Sequence, residues 1–153
     1  MKYLPYHRLK IYSNLSPEIL IENLSKHVQK KKFSLFEDNP KYFNGEITNF
    51  KFRIEKNLSG RNSFNPIIEG TIFKEDKISI DIIYKLHPFT SFFVILFNLL
   101  LLSIIIYIFV NSNENSILIP FLFLVFNYLL MIISFNYYLK TTEKKLKEIF
   151  TNL

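Results

Sequence analysis

Two stretches of the chain carry almost no polar residue. Residues 91–110 (SFFVILFNLLLLSIIIYIFV) and 117–139 (ILIPFLFLVFNYLLMIISFNYYL) are apolar all round and hold no charge. As helices rising about 1.5 Å per residue, each is long enough to cross the roughly 30 Å hydrocarbon core of a bilayer. A chain of 153 residues has no shell large enough to bury two such helices. Between them, residues 111–116 (NSNENS) are short, polar and turn-prone. The pattern therefore predicts an antiparallel helical hairpin, with Ser116 as the N-cap of the second span. Pro120 falls about one turn inside that span, where a missing N–H costs little.

Upstream the pattern changes to an alternation of period two, interrupted by one helical segment. Residues 6–13 put Leu9 and Ile11 on one face of a strand. The next segment, SPEILIENLSKHV, has a helix start: Ser16 at the N-cap, Pro17 at the first helical position, Glu18 in the first turn. Leu20, Ile21, Leu24 and Val28 form its apolar stripe. Residues 42–48, with Gly45, suggest another strand. Phe50, Phe52 and Ile54 then face one way, and Lys51, Arg53 and Glu55 the other. A strand over 66–73 turns through Lys74-Glu75-Asp76-Lys77 into the clearest strand of all, marked by Ile78, Ile80, Ile82, Tyr84 and Leu86.

The fold class expected is α+β. An N-terminal helix lies on a mostly antiparallel sheet of about five strands, followed by a two-helix transmembrane hairpin and a short amphipathic C-terminal helix. The divisions are residues 1–88, 89–139 and 140–153. In the last of these, Leu146, Ile149, Phe150 and Leu153 recur at helical spacing. That stripe suits the inner leaflet or the sheet. Docking on the sheet is favoured, because a single short helix would leave a five-stranded sheet partly bare.

Charge orients the layout. The 19 Lys and Arg exceed the 13 Asp and Glu, for a net +6, and every basic residue lies in 1–88 or 140–153. The loop between the spans has none and carries Glu114. Both termini are therefore expected on the cytoplasmic side of the cell (inner) membrane, with two spans between them. The start, MKYLPYHRLK, lacks an apolar core and is not expected to be a cleaved signal peptide. Tyr137 and Tyr138 suit an interfacial belt with Lys140 as a snorkelling anchor. Lys140, Lys144, Lys145 and Lys147 are candidate contacts for anionic lipid. Lys30, Lys31 and Lys32 after the helix complement its dipole, or serve the same contact.

Five polar side chains interrupt the spans: Asn98, Ser103, Asn127, Ser134 and Asn136. Asn98 and Asn127 lie at depths of about 14 and 18 Å from the same side. They are candidate helix-packing residues, bonding each other across the hairpin or marking a seam for a partner helix or a second copy. A transport path is not expected, since two helices cannot enclose one and no ionisable residue is present.

Chemistry bounds the function by what is missing. With no Cys, disulfides, thiolate metal sites and cysteine nucleophiles are excluded. His7, His27 and His87 have no metal-ligand spacing. Three Gly make no phosphate-cradling loop, and there is no nucleophile elbow. Glu37 and Asp38 are adjacent but read as a solvated loop. No catalytic residue, cofactor or metal is expected, and the basic balance serves topology rather than nucleic acid. The candidate binding or junction residues are Arg53, Arg61, Asn62 and His87. Arg61 is one of only three Arg and opens the run to Gly70, while His87-Pro88 makes a rigid strand-to-span junction.

These last runs carry a resemblance. The pattern RNSFxPxIxG at 61–70 and LHPF at 86–89, with LPY at 4–6, LSPE at 15–18 and the hairpin, resembles a family of small uncharacterised bacterial membrane proteins. The resemblance implies an N-terminal α+β domain and a bacterial membrane location, and no reaction. Three functions are expected in descending order. The first is a non-enzymatic membrane-anchored module binding a lipid, a small apolar ligand or a protein. The second is an accessory subunit that packs through the hairpin against a larger complex or another copy. The last is a lipid head-group enzyme using His87, Glu69 and Asp81.

Overall fold

The computed structural model describes residues 3–30, 40–58, 62–74, 77–111 and 117–151. Strand β1 (Tyr6–Ser13) leads to helix α1 (Pro17–His27) and a two-residue strand β2 (Val28–Gln29). Strands β3 (Phe43–Thr48), β4 (Lys51–Lys56), β5 (Ile67–Lys74) and β6 (Ile78–Lys85) follow, then helices α2 (Pro88–Val110) and α3 (Leu118–Thr151). The six strands form one sheet in the order β1-β6-β5-β4-β3-β2, antiparallel except for β2 against β3. Class and strand positions match the sequence reading. The sixth strand, β2, was not legible, because Val28 fits the helical stripe as well as a strand.

Helix α1 starts where its capping residues put it. The Ser16 hydroxyl accepts from the Ile19 N–H at 3.4 Å, and Glu18, held by its own backbone N–H and the Ser16 hydroxyl, has a lowered pKa. Leu20 and Leu24 are fully buried against the sheet. The alternation in β6 is equally direct: Ile80, Ile82 and Tyr84 point into the core, and Asp81, Ile83 and Lys85 away from it. One expected core residue is misplaced by periodicity. Phe50 is exposed in the turn after Asn49, whose φ of 53° only a short polar side chain tolerates well. Phe52 and Ile54 are buried as expected. The Phe52 ring occupies the place where a Cβ on Gly70 would stand, so a glycine is required opposite it.

The main departure is α3. The second apolar stretch and the tail are one unbroken helix of 34 residues, about 51 Å long. Met131, Ile132, Phe135, Leu139, Leu146, Ile149 and Phe150 all belong to the domain core, packed with β1, β4, β5, β6 and α1. From Met131 to Phe150 the helix rises about 28 Å, close to the roughly 26 Å of an eight-residue strand. The second helix of the α/β layer is thus the C-terminal part of the apolar helix. The Phe150 carbonyl accepts from the Ser13 hydroxyl at 2.8 Å, tying the far end of α3 to β1. The division at 139/140 expected from sequence falls inside this rigid element, and the tail lies on the sheet rather than on a leaflet. Leu153 is outside the described residues.

Helices α2 and α3 are each long and apolar enough to cross a membrane, and they pack together. On α2 only Leu101 is buried, with Val94 half-buried against the core. Large apolar side chains on both helices stand exposed, among them Phe92, Leu96, Leu100 and Ile106 on α2 and Phe121, Phe126 and Ile133 on α3.

Candidate functional site

The helices cover one face of the sheet and leave the other bare. Register places Arg8, Lys10, Asp81, Glu69, Arg53 and Glu46 on that open face. Opposite charges meet across strands: Arg8 and Asp81 at 2.7 Å, Lys85 and Glu69 at 2.6 Å, Arg53 and Glu69 at 3.6 Å. The Arg8 pKa is raised by its bond to Asp81. At the end of this face nearest α2, a groove of about 280 Å³ opens over β3, β4 and β5.

Asn44, Glu46, Arg53, Glu55 and Ile67 line the groove, with the backbone of Gly45 and Ile54 below and His87 at its end. Gly45 shapes it. Its φ is +151°, and a Cβ there would collide with the Arg53 carbonyl oxygen. Asn44 donates to the Asn57 side chain at 3.0 Å, while its own Oδ1 is buried without a donor among the described residues. His87 is the N-cap of α2: its Nδ1 accepts from the Phe89 N–H at 3.2 Å. An imidazole accepting at Nδ1 carries its proton on Nε2, so His87 presents an outward donor. Immediately after it, the exposed Phe89, Phe92 and Phe93 form an aromatic cluster, with Phe89–Phe93 ring centroids at 4.6 Å.

The structure therefore brings Arg53 and His87, two of the four candidate binding or junction residues, to one groove. It adds Asn44, Glu46 and Glu55, which sequence reasoning passed over. The signal was available: outward positions of β3 and β4 pair as Asn44 with Glu55 and Glu46 with Arg53. Reading it required the register of the hairpin at Asn49. Asn62 lies elsewhere, on the helix side, donating to the Tyr138 hydroxyl at 3.0 Å and accepting from the Phe64 N–H at 2.9 Å. It joins a β-loop to α3. Arg61, Lys31, Lys32, Glu37, Asp38 and Ser116 are outside the described residues. Glu69 and Asp81 are held in ion pairs and do not line the groove with His87.

The two span asparagines share the seam between α2 and α3 without bonding each other. Asn98 is in line with Val94 and Leu101, and donates to the Val94 carbonyl of its own helix at 2.7 Å. Asn127 is in line with Pro120 and Met131, half-buried, and makes no hydrogen bond among the described residues. Of the tail lysines, Lys145 pairs with Glu148 at 3.3 Å and Lys147 with Glu143 at 2.7 Å, whereas Lys140 and Lys144 are exposed.

Two further clusters fasten α3 to the sheet. Lys56 Nζ lies 5.6 to 5.9 Å from the rings of Tyr42, Tyr137 and Tyr138, a cation–π cage that closes the end of β4 onto the helix. Burial raises the Tyr42 pKa. On the β1 side, His7 stacks on Tyr84 with centroids 6.0 Å apart and reaches Glu143 at 4.0 Å. Burial, with Glu143 nearby, pushes the Tyr84 phenol far above its ordinary range. Its hydroxyl is buried, with the Thr142 side chain beside it. Neither cluster sets a nucleophile beside a base. No group of three or more His, Asp or Glu among the described residues is placed to hold a metal. No protein-family profile, curated protein or solved structure matches the chain, so the site stands on its own residues.

Proposed function

We propose that the chain is an integral membrane protein whose sheet domain is a non-enzymatic binding module held at the cytoplasmic membrane surface. The observation that carries this is the exposure of the apolar helices. Only 6% of the apolar window of α2 and 22% of that of α3 is buried. A core helix of a soluble protein would be covered, and uncovered apolar surface on this scale calls for lipid or protein around it. With α2 and the part of α3 before Met131 in the bilayer, Pro88 and the core-packed part of α3 lie on one side, and the basic flanks favour the cytoplasm. Because α3 is a single helix, the domain has a fixed attitude to the bilayer rather than a flexible tether.

The open face then offers its groove beside the first turn of a span, which suits a lipid or a small ligand. The half-buried amide of Asn127, without a hydrogen bond among the described residues, favours a second reading, an accessory subunit or homo-oligomer that packs through the hairpin. The resemblance to small bacterial membrane proteins agrees with either. Alkaline carbonate treatment of membranes from cells expressing the full chain tests the first step. The chain is expected in the pellet. Release into the supernatant would overturn the membrane assignment.

A further inference from the structure

Resting on that membrane reading, we infer that residues 3–6 lie in the cytoplasmic leaflet as a third lipid contact beside the two helices, held against α3 by the Tyr128 hydroxyl.

Topology brings this segment to the membrane end of the sheet. Strand β1 runs antiparallel to β6, and Tyr6 pairs with Lys85, the last residue of β6 before the chain enters α2 at Pro88. The chain therefore approaches β1 from the end at which the apolar helices leave the domain. Residues 3 and 4 do not fold back onto the core: Tyr3 is 76% and Leu4 71% exposed. They lie beside α3, where the Tyr128 hydroxyl donates to the Tyr3 carbonyl at 2.8 Å. Tyr128 stands about one turn before Met131, in the part of α3 read as intramembrane.

The chemistry of the segment suits that depth. Tyr-Leu-Pro-Tyr carries no charge, and tyrosine, with an apolar ring and a polar tip, is a residue of membrane interfaces. Backbone groups are costly in lipid unless satisfied. Pro5 has no N–H, Tyr6 is already in the β1–β6 ladder, and the Tyr3 carbonyl has its donor in Tyr128. In water that carbonyl would be hydrated, and a hydroxyl from an apolar helix would add little. The side chains of Tyr3 and Leu4 continue the uncovered surface of α3, on which Tyr128, Leu129 and Leu130 are also exposed. Continuity with the membrane face of the helix commits the segment to lipid.

The chain has no native cysteine, so a fluorescent label can be placed at one introduced cysteine at a time. Leu4→Cys is the test, Lys10→Cys on the exposed side of β1 the water control, and Ile106→Cys on the exposed side of α2 the lipid control. The full chain is held in phosphatidylcholine–phosphatidylglycerol nanodiscs, with quenching by lipid brominated on its upper acyl chain or by aqueous iodide. The Leu4→Cys label is expected to be quenched by the brominated lipid and to be at least about five-fold less open to iodide than the Lys10→Cys label. Tyr128→Phe, which keeps the ring and removes the hydrogen bond, should raise iodide access at Leu4→Cys by at least about two-fold and leave Ile106→Cys unchanged. A Leu4→Cys label that iodide reaches as it reaches Lys10→Cys overturns the proposal. So does one reached by neither quencher, which would sit against a second copy or a partner protein. A Tyr128→Phe chain whose Leu4→Cys label is unaltered overturns the hold by Tyr128. An Ile106→Cys label quenched by brominated lipid alone, beside a Leu4→Cys label in water, removes this inference and leaves the membrane reading standing. An Ile106→Cys label reached by iodide and not by brominated lipid removes both.

Discussion

Truncating Phe150 to alanine separates a tail that belongs to the domain from one that rests on a membrane. Phe150 is fully buried near the end of α3, its ring 5.9 Å from that of Phe52 and its carbonyl bonded by Ser13. Removing a buried phenyl ring costs about 3–5 kcal/mol, the transfer term plus the cavity left behind. Against a domain stability of roughly 5–15 kcal/mol, that is a large share, and the folded-to-unfolded ratio falls by about two to three and a half powers of ten. The alanine keeps its backbone carbonyl, so the Ser13 bond is not the variable. The assay is denaturant unfolding of the full chain in detergent, read by pulse proteolysis and by hydrogen exchange at the β1 and β6 amides. Lys144→Ala, at an exposed position one turn from Lys140, is the control and should shift stability by less than about 0.5 kcal/mol. A tail on the membrane surface would leave the sheet indifferent to Phe150. A Phe150→Ala midpoint and sheet protection equal to those of the control would refute the shared-helix core.

Gly70→Ala should destabilise by about 1–3 kcal/mol, measured in the same unfolding assay, because its Cβ would need the space held by the buried Phe52 ring. Asn98→Leu should change hairpin stability by less than about 1 kcal/mol in steric-trap or thermal unfolding, since the amide bonds its own helix and not Asn127. The His27 pKa is lowered, first by burial and then by Lys145, Lys41 and Lys26. The unfolded chain therefore takes up the proton at a higher pH than the folded one, and stability contributed by neutral His27 is lost as pH falls below about 6.5. His27→Gln should flatten the pH dependence of the unfolding midpoint between about pH 7 and 5.5, with the two midpoints converging at higher pH.

Local chemistry was enough to place β1, α1 and the four strands of the meander. Ser16 and Pro17 start a helix wherever they stand before an apolar stripe, and strict alternation from Ile78 to Leu86 admits one buried face. The length and apolarity of residues 91–110 and 117–139 were equally local properties. What the sequence withheld depends on partners distant along the chain. Periodicity measures which residues share a face and is silent on what covers it, so the stripe Leu146, Ile149 and Phe150 fitted a leaflet as well as the sheet. Only the packing of α3 against Ile11, Phe52 and Ile80 decided it. Helical periodicity also cannot mark a junction inside a continuous helix, which is why a boundary near Leu139 looked real. Arg53 and His87 are 34 positions apart, and they meet only because β4 pairs with β5 and β5 with β6, whose end leads into α2. The residue types were set by the sequence. The site they form was set by sheet register and by one long helix shared between the apolar segment and the core.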